Sequence, residues 1–138
     1  MDVQSKKVER PSNLNTAATL MIVNGCLHVL GSLGAVIALL VLGLVFGVLT
    51  FGIGFLLFCC LVFPLAYMAW GVYEFITAAR ILKGSGLKRS PVWIGIVDII
   101  LGALELTTVH GIIILIIGVI NTILLSDSRV KDYFSRTP

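Results

Sequence analysis

The stretch "PSNLNTAATLMIVNGCLHVLGSLGAVIALLVLGLVFGVLTFGIGFLLFCCLVFPLAYMAWGVY" (residues 11–73) contains no Asp, Glu, Lys or Arg. A helix needs about 20 apolar residues to cross hydrocarbon, so this stretch can hold two spans and a turn. The whole chain is 58% hydrophobic and 12% charged, against about 25% charged residues in an average soluble domain. Because so few polar residues cannot cover a folded surface, the composition predicts an integral membrane protein whose solvent is the lipid bilayer.

Hydropathy and turn residues predict an all-α protein with four transmembrane helices. The predicted spans cover residues 17–42, 55–82, 92–106 and 112–125. They form one domain (17–126) between a cytoplasmic N-terminal segment (1–16) and a cytoplasmic C-terminal tail (127–138). In the tail, "SDSRVKDYFSRTP" (126–138) predicts an amphipathic turn with Val130, Tyr133 and Phe134 on one face.

Turn and breaker residues place the boundaries between these spans. "GLVFGVLTFGIG" (43–54) predicts the first turn through its glycines. Pro64 predicts a kink in helix two, because proline removes a helical hydrogen bond. Ser90 and Pro91 predict an N-cap and a first helical residue for helix three.

Helices three and four are short for a full crossing. Each has about fifteen residues, against about 20 for a typical span. They could cross a locally thinned bilayer or form a re-entrant hairpin. We expect them to cross, because a re-entrant segment needs a large surrounding protein to bury its backbone.

The basic residues predict the orientation. All ten lie on one side of a four-span arrangement: Lys6, Lys7, Arg10, Arg80, Lys83, Lys88, Arg89, Arg129, Lys131 and Arg136. Lys and Arg concentrate on the cytoplasmic side of membrane proteins. Both termini are therefore predicted to be cytoplasmic.

Small and polar residues recur at helical spacing on one face of each predicted span. The four stripes are Met21, Asn24, His28, Gly31, Ala35 and Ala38; Pro64, Tyr67, Gly71, Glu74 and Ala78; Gly95, Asp98, Gly102 and Glu105; and Gly111, Ile114, Gly118 and Asn121. In lipid, small residues permit close helix packing and polar residues bond between helices. The stripes therefore predict an antiparallel four-helix bundle in which they face one another.

One layer of the predicted bundle carries a polar residue from each helix. Asn24, Glu74, Asp98 and Asn121 each lie roughly 8–13 Å from the cytoplasmic end of their helix. We expect them to form one intramembrane hydrogen-bonded cluster. Three further residues, His28, Glu105 and His110, form a second predicted polar group towards the opposite side, with Glu105 and His110 close enough in sequence to pair.

Two short matches indicate an internal repeat. "IVNG" (22–25) resembles "IVDI" (96–99), and "GVYEFI" (71–76) resembles "GVINTI" (118–123). The alignment places Asn24 beside Asp98 and Glu74 beside Asn121. A duplicated helical hairpin would explain both matches.

Several classes of function lack support in the sequence. No nucleophile–base set, phosphate-binding glycine loop or HExxH motif is present, so we expect no enzyme and no cofactor. The cysteines Cys26, Cys59 and Cys60 have no ligand or disulfide spacing. The two histidines are far apart in sequence, which predicts no metal site. The basic residues are not interleaved with exposed aromatics, which argues against nucleic-acid binding.

The segments "GVYEFITAARILKG" (71–84) and "LLSDSRVKDYF" (124–134), with two short spans between them, give the chain a particular layout. In this layout it resembles uncharacterised small four-span bacterial integral membrane proteins. The resemblance implies a plasma-membrane location, which is the inner membrane in a Gram-negative bacterium. It implies no activity.

Two functions remain open. The first is a structural or accessory subunit, which forms a homo-oligomer or joins other membrane-protein subunits. The second is a proton- or small-ion-conducting protein that uses Glu74 and Asp98, because intramembrane acids are often functional. Continuity distinguishes them, since conduction needs polar groups from one membrane face to the other.

Overall fold

A computed structural model describes residues 9–50, 52–84, 87 and 89–136 of the chain. The described residues are almost all helical. The helices are α1 (Ser12–Leu49), α2 (Val62–Lys83), α3 (Val92–Leu104), α4 (Val109–Ser126) and α5 (Ser128–Arg136), with a 3₁₀ helix (Ile53–Leu61) before α2. Lys6, Lys7 and Lys88, on which part of the predicted orientation depends, lie outside the described residues.

Within the described residues, three helical segments are long and apolar enough to cross a membrane. They are Ser12–Leu49, Leu56–Lys83 and Val109–Ser126, and α3 is a shorter apolar helix. The predicted all-α membrane protein is confirmed at this level.

Helix α1 extends well beyond the predicted residues 17–42. It continues through Gly43 and Gly47 to Leu49, so the prediction of a turn across 43–54 was wrong in its first half. A helical glycine costs only about 1 kcal/mol, whereas exposing unbonded backbone to hydrocarbon costs several. Gly52, three residues after the end of α1, has a left-handed φ of 101°.

Pro64 lies close to the point where the helical segment Leu56–Lys83 changes from 3₁₀ to α. The predicted helix 55–82 is divided into the 3₁₀ helix and α2, and Pro64 is the third residue of α2. In the first turn of a helix the backbone N–H has no intrahelical acceptor, so proline is tolerated there. The proline therefore coincides with the start of α2 and does not kink its interior.

The start of α3 differs from the prediction in its cap, and α4 has a side-chain cap of its own. Ser90 donates its hydroxyl to Leu125 O (2.6 Å) instead of capping α3, and Pro91 takes the N-cap position. At the start of α4, the Thr108 side chain accepts a hydrogen bond from Gly111 N (2.9 Å). These contacts fix both ends of the α3–α4 hairpin.

The residues of the predicted stripes of helices two and four are buried, apart from the half-buried Tyr67, but in helix one only the start of the stripe is buried. Gly111, Ile114, Gly118 and Asn121 are all buried in α4. In α1, Met21, Asn24 and His28 are buried, but Gly31, Ala35 and Ala38 are exposed and Ser32 is buried instead. Further along α1 the buried positions are Gly43 and Gly47. The buried face of α1 therefore continues from His28 to Ser32, four residues later, and not to Gly31, three residues later.

The tail forms the amphipathic helix α5, and its apolar face is covered by protein. Val130 and Phe134 are buried, and α5 packs against α4. Asp127 accepts from Arg129 N (2.8 Å) at the start of α5 and also from Asn13 Nδ2 (2.8 Å) in the first turn of α1. The tail is thus bonded to the helical domain, and protein covers these two side chains.

The chain divides into two compact units. One comprises Met1–Ile22 with Ile76–Pro138, and the other comprises Val23–Phe75. The first contains the α3–α4 hairpin and α5. The second contains most of α1, the 3₁₀ helix and the first part of α2.

Candidate functional site

Three polar side chains meet inside the unit Val23–Phe75. Asn24 and His28 lie one turn apart on α1, and Glu74 lies on α2. Asn24 Nδ2 donates to Glu74 Oε1 (3.0 Å) and lies 3.4 Å from His28 Nε2. His28 Nε2 lies 3.7 Å from Glu74 Oε2, within ion-pair distance. We call these residues the Asn24–His28–Glu74 group.

This group is fully buried, since all three side chains have 0% exposure. Buried polar groups are costly unless they are hydrogen-bonded, and intramembrane acids are rare for this reason. The donor–acceptor contact between Asn24 and Glu74 joins α1 to α2 and satisfies part of this requirement. The His28 ring also lies beside the Tyr67 ring, with centroids 5.7 Å apart.

Two glycines allow α1 and α2 to approach closely enough for these contacts. A Cβ at Gly25 would lie 2.8 Å from Gly71 O, and a Cβ at Gly71 would lie 2.8 Å from Gly25 O. Real Cβ atoms do not approach backbone oxygens so closely. The backbone contact therefore requires glycine on both helices, as in other small-residue helix interfaces in membranes.

The α3–α4 hairpin holds a second pair of buried polar residues, Asp98 and Asn121, both 0% exposed. A Cβ at Gly118 would lie 2.8 Å from Asp98 Cβ, so Asp98 packs directly on α4 one turn before Asn121. Among the described residues, no hydrogen-bond partner lies within reach of either atom of the Asn121 amide. The pair is positioned by glycine contacts like those of the first hairpin.

The two hairpins bury the polar and glycine positions that the short sequence repeat aligns. The aligned pairs Asn24/Asp98, Glu74/Asn121 and Gly71/Gly118 are all buried. Gly71 approaches Gly25 and His28, while Gly118 approaches Asp98 and Ile99, the residues aligned with Asn24 and Gly25. In the first hairpin the amide is on the first helix and the acid on the second. In the second hairpin the acid is on the first helix and the amide on the second.

The structure places the four polar residues of the predicted layer in two pairs. The structure bonds Asn24 to Glu74 and places Asp98 and Asn121 on the facing sides of α3 and α4, all with 0% exposure. His28 was predicted to join Glu105 and His110, but it contacts Asn24 and Glu74. Its position four residues after Asn24 is the sequence signal that could have shown this.

Glu105 and His110 form a pair in the turn between α3 and α4. His110 Nδ1 lies 3.1 Å from Glu105 Oε2, and the two side chains are 31% and 32% exposed. Glu105 O also accepts from the Thr108 hydroxyl (2.9 Å). This partly exposed pair stabilises the tight turn and differs from the fully buried first group.

Comparison with protein families, with curated proteins and with solved structures found no match to this chain.

Proposed function

We propose that the protein is a non-catalytic, multi-pass membrane protein that acts as a structural or accessory subunit, by self-association or within a larger membrane complex. The observation that carries this proposal is the exposed apolar end of the α1 hairpin. In α1 beyond Ser32, the large side chains are mostly exposed, reaching 77% at Val48 and 68% at Leu49. On the following segment, Leu56 and Phe63 are exposed by 69% and 70%.

The length of α1 adds to this argument. Its 38 residues extend about 57 Å, against about 30 Å of hydrocarbon in a typical bilayer. Tilting, local thickening of the bilayer or association with another protein can accommodate such an excess. A neighbouring membrane protein packed on this end would cover apolar surface that the chain itself leaves exposed.

The distribution of polar residues favours interhelical bonding over conduction. The buried polar side chains of α1 end at Ser32, and residues 33–62 contain no charged residue. A conducting pathway would need polar groups or water along this whole segment. A local polar group is sufficient to hold two helices together, each such contact contributing about 0.5–2 kcal/mol.

In the proposed membrane arrangement, four helices cross the plasma membrane as an antiparallel bundle. Both termini face the cytoplasm, because the Lys and Arg residues flank the termini and the loop between α2 and α3. The short α3 crosses by local thinning of the bilayer.

The test is the mass of the protein extracted in mild detergent from its native membrane, with all co-extracted chains identified. We expect a discrete complex larger than the monomer. Replacing Leu44 and Val48 by Ala should reduce the complex, whereas the matched control with Ile100 and Ile123 replaced by Ala should not. A wild-type protein that is monomeric at every detergent concentration would contradict the proposal.

A second function, proton or small-ion conduction through Glu74 and Asp98, is favoured by the complete burial of both acids. Its test is proton flux into liposomes that contain the purified protein. Conduction predicts flux in the wild type that is lost in Glu74→Gln and in Asp98→Asn. Equal flux in protein-free liposomes and in wild-type liposomes would exclude it.

A further inference from the structure

The Asn24–His28–Glu74 group brings together three side chains that can ligate a metal ion. Imidazole nitrogen and carboxylate oxygen are common ligands of Zn²⁺, and amide oxygen is a weaker one. The sequence predicted no metal site, because that prediction considered only the distance between the two histidines. Glu74 is 46 positions after His28 in the sequence, so its proximity to His28 was not visible there. The fold places these residues side by side with 0% exposure.

The separations of the polar atoms match those of ligands around one metal ion. Ligands at about 2.0–2.1 Å from a tetrahedral Zn²⁺ lie about 3.3–3.4 Å from one another. Asn24 Nδ2 lies 3.0 Å from Glu74 Oε1 and 3.4 Å from His28 Nε2, and Nε2 lies 3.7 Å from the other carboxylate oxygen, Oε2. A rotation of the Glu74 carboxylate would be needed for one of its oxygens to face both neighbours.

The Asn24 amide provides a second observation. Its Nδ2 faces His28 and Glu74, and among the described residues no donor lies within hydrogen-bond distance of its buried Oδ1. A half-turn of the amide exchanges the two atoms, which have nearly the same shape. Oδ1 would then face the His28 nitrogen and the Glu74 carboxylate, so that each of the three residues offers one candidate ligand atom.

From this geometry we propose that Asn24, His28 and Glu74 bind one divalent transition-metal ion, with Zn²⁺ as the probe. The ion would connect α1 to α2 at the level of the Gly25–Gly71 contact. Three protein ligands leave a fourth tetrahedral position for water or another group. The ion would also compensate the buried carboxylate, which is otherwise costly in a membrane.

The experiment is Zn²⁺ binding to the full-length protein in mild detergent after treatment with a chelator. Bound metal is measured by elemental analysis, and Co²⁺ substitution reports the ligands through its visible absorption. We expect about one Zn²⁺ per chain in the wild type. His28→Gln and Glu74→Gln should each weaken binding by at least about tenfold.

The chain offers a matched control in its other His–Glu pair. His110→Gln removes a histidine that also contacts a glutamate, but at a partly exposed site. It should leave the stoichiometry and the Co²⁺ spectrum unchanged. If His110→Gln abolishes binding and His28→Gln does not, the ion is held in the turn and the proposal is wrong.

Variants of Asn24 separate metal ligation from packing. Asn24→Asp supplies an oxygen ligand in the same place and should keep bound Zn²⁺, whereas Asn24→Leu should lose at least about tenfold in affinity. Each variant is first checked for a single symmetrical species by size exclusion. A wild-type protein that binds no stoichiometric Zn²⁺ would show that the group is an interhelical hydrogen-bonded ion pair only, which would overturn the proposal.

Discussion

Gly71→Ala tests whether α1 and α2 are held in direct backbone contact. The added Cβ would lie 2.8 Å from Gly25 O and 2.9 Å from His28 Cβ. Overpacking of this kind costs about 1–3 kcal/mol, while replacing a helical glycine by alanine gains up to about 1 kcal/mol in helix propensity. The net expectation is a destabilisation of about 0–3 kcal/mol, with weakened Asn24–Glu74 bonding as the helices separate.

Gly34→Ala is the matched control, because a Cβ at Gly34 meets no atom within 4 Å. This variant has the same change in propensity without the collision, so it should be neutral or more stable by up to about 1 kcal/mol. The free energies of unfolding of the two variants should therefore differ by about 1–3 kcal/mol. The assay is SDS-induced unfolding in mixed micelles, followed by tryptophan fluorescence. Equal unfolding midpoints for the two variants would refute the close approach of α1 and α2.

Three further predictions concern the ends of the helices. Thr108→Ala removes the N-cap hydrogen bond of α4 and should destabilise the protein by about 1 kcal/mol in the same unfolding assay, whereas Thr107→Ala, one residue outside the cap, should not. Phe134→Ala removes a side chain that is 6% exposed and should cost about 3 kcal/mol or somewhat more, and a loss below 1 kcal/mol would contradict the docking of α5. In a cysteine-free background, Arg136→Cys should react with an impermeant thiol reagent only after the cells are opened, and Thr107→Cys should react in intact cells. Reaction of both in intact cells would contradict the proposed orientation.

The sequence was most informative where a helix packs closely against one neighbour. In α4 all four predicted inward positions are buried. They could be predicted because small and polar residues recur there at a regular helical spacing. In α1 the inward face is followed only as far as His28. Beyond it, glycine and alanine lie on several faces at once, so residue size alone does not distinguish Ser32 from Gly31.

The boundary of α1 shows a second limit. Glycines at 43 and 47 are typical of turns in water, where the released backbone groups bond to solvent. In hydrocarbon no such solvent exists, and the helix continues to Leu49, shortly before the left-handed Gly52. Turn preferences taken from soluble proteins therefore place this boundary too early.

Partner choice within the polar groups was the least predictable feature. The prediction assigned His28 to the opposite polar group by its depth in the membrane, although its spacing places it on the same face as Asn24. A difference of one helical turn, about 5.4 Å, separates the two assignments. A long side chain can span that distance, so depth alone does not decide which residues meet.

The two hairpins provide an internal comparison that separates the roles of these residues. Both keep an acid and an amide at the aligned buried positions, on exchanged helices, so a buried polar pair on the facing sides of two closely packed helices is the feature that they share. His28 is different, because the residue aligned with it is Gly102, which has no side chain. Packing and bonding between helices therefore do not by themselves require an imidazole at this position.

If the first hairpin binds a metal ion, Asn24→Asp combined with Glu74→Gln would reproduce the exchanged acid and amide of the second hairpin and should retain bound Zn²⁺ through His28 and the new carboxylate. Loss of all Zn²⁺ in this double variant, with binding retained in Asn24→Asp alone, would show that the ion requires the carboxylate on α2.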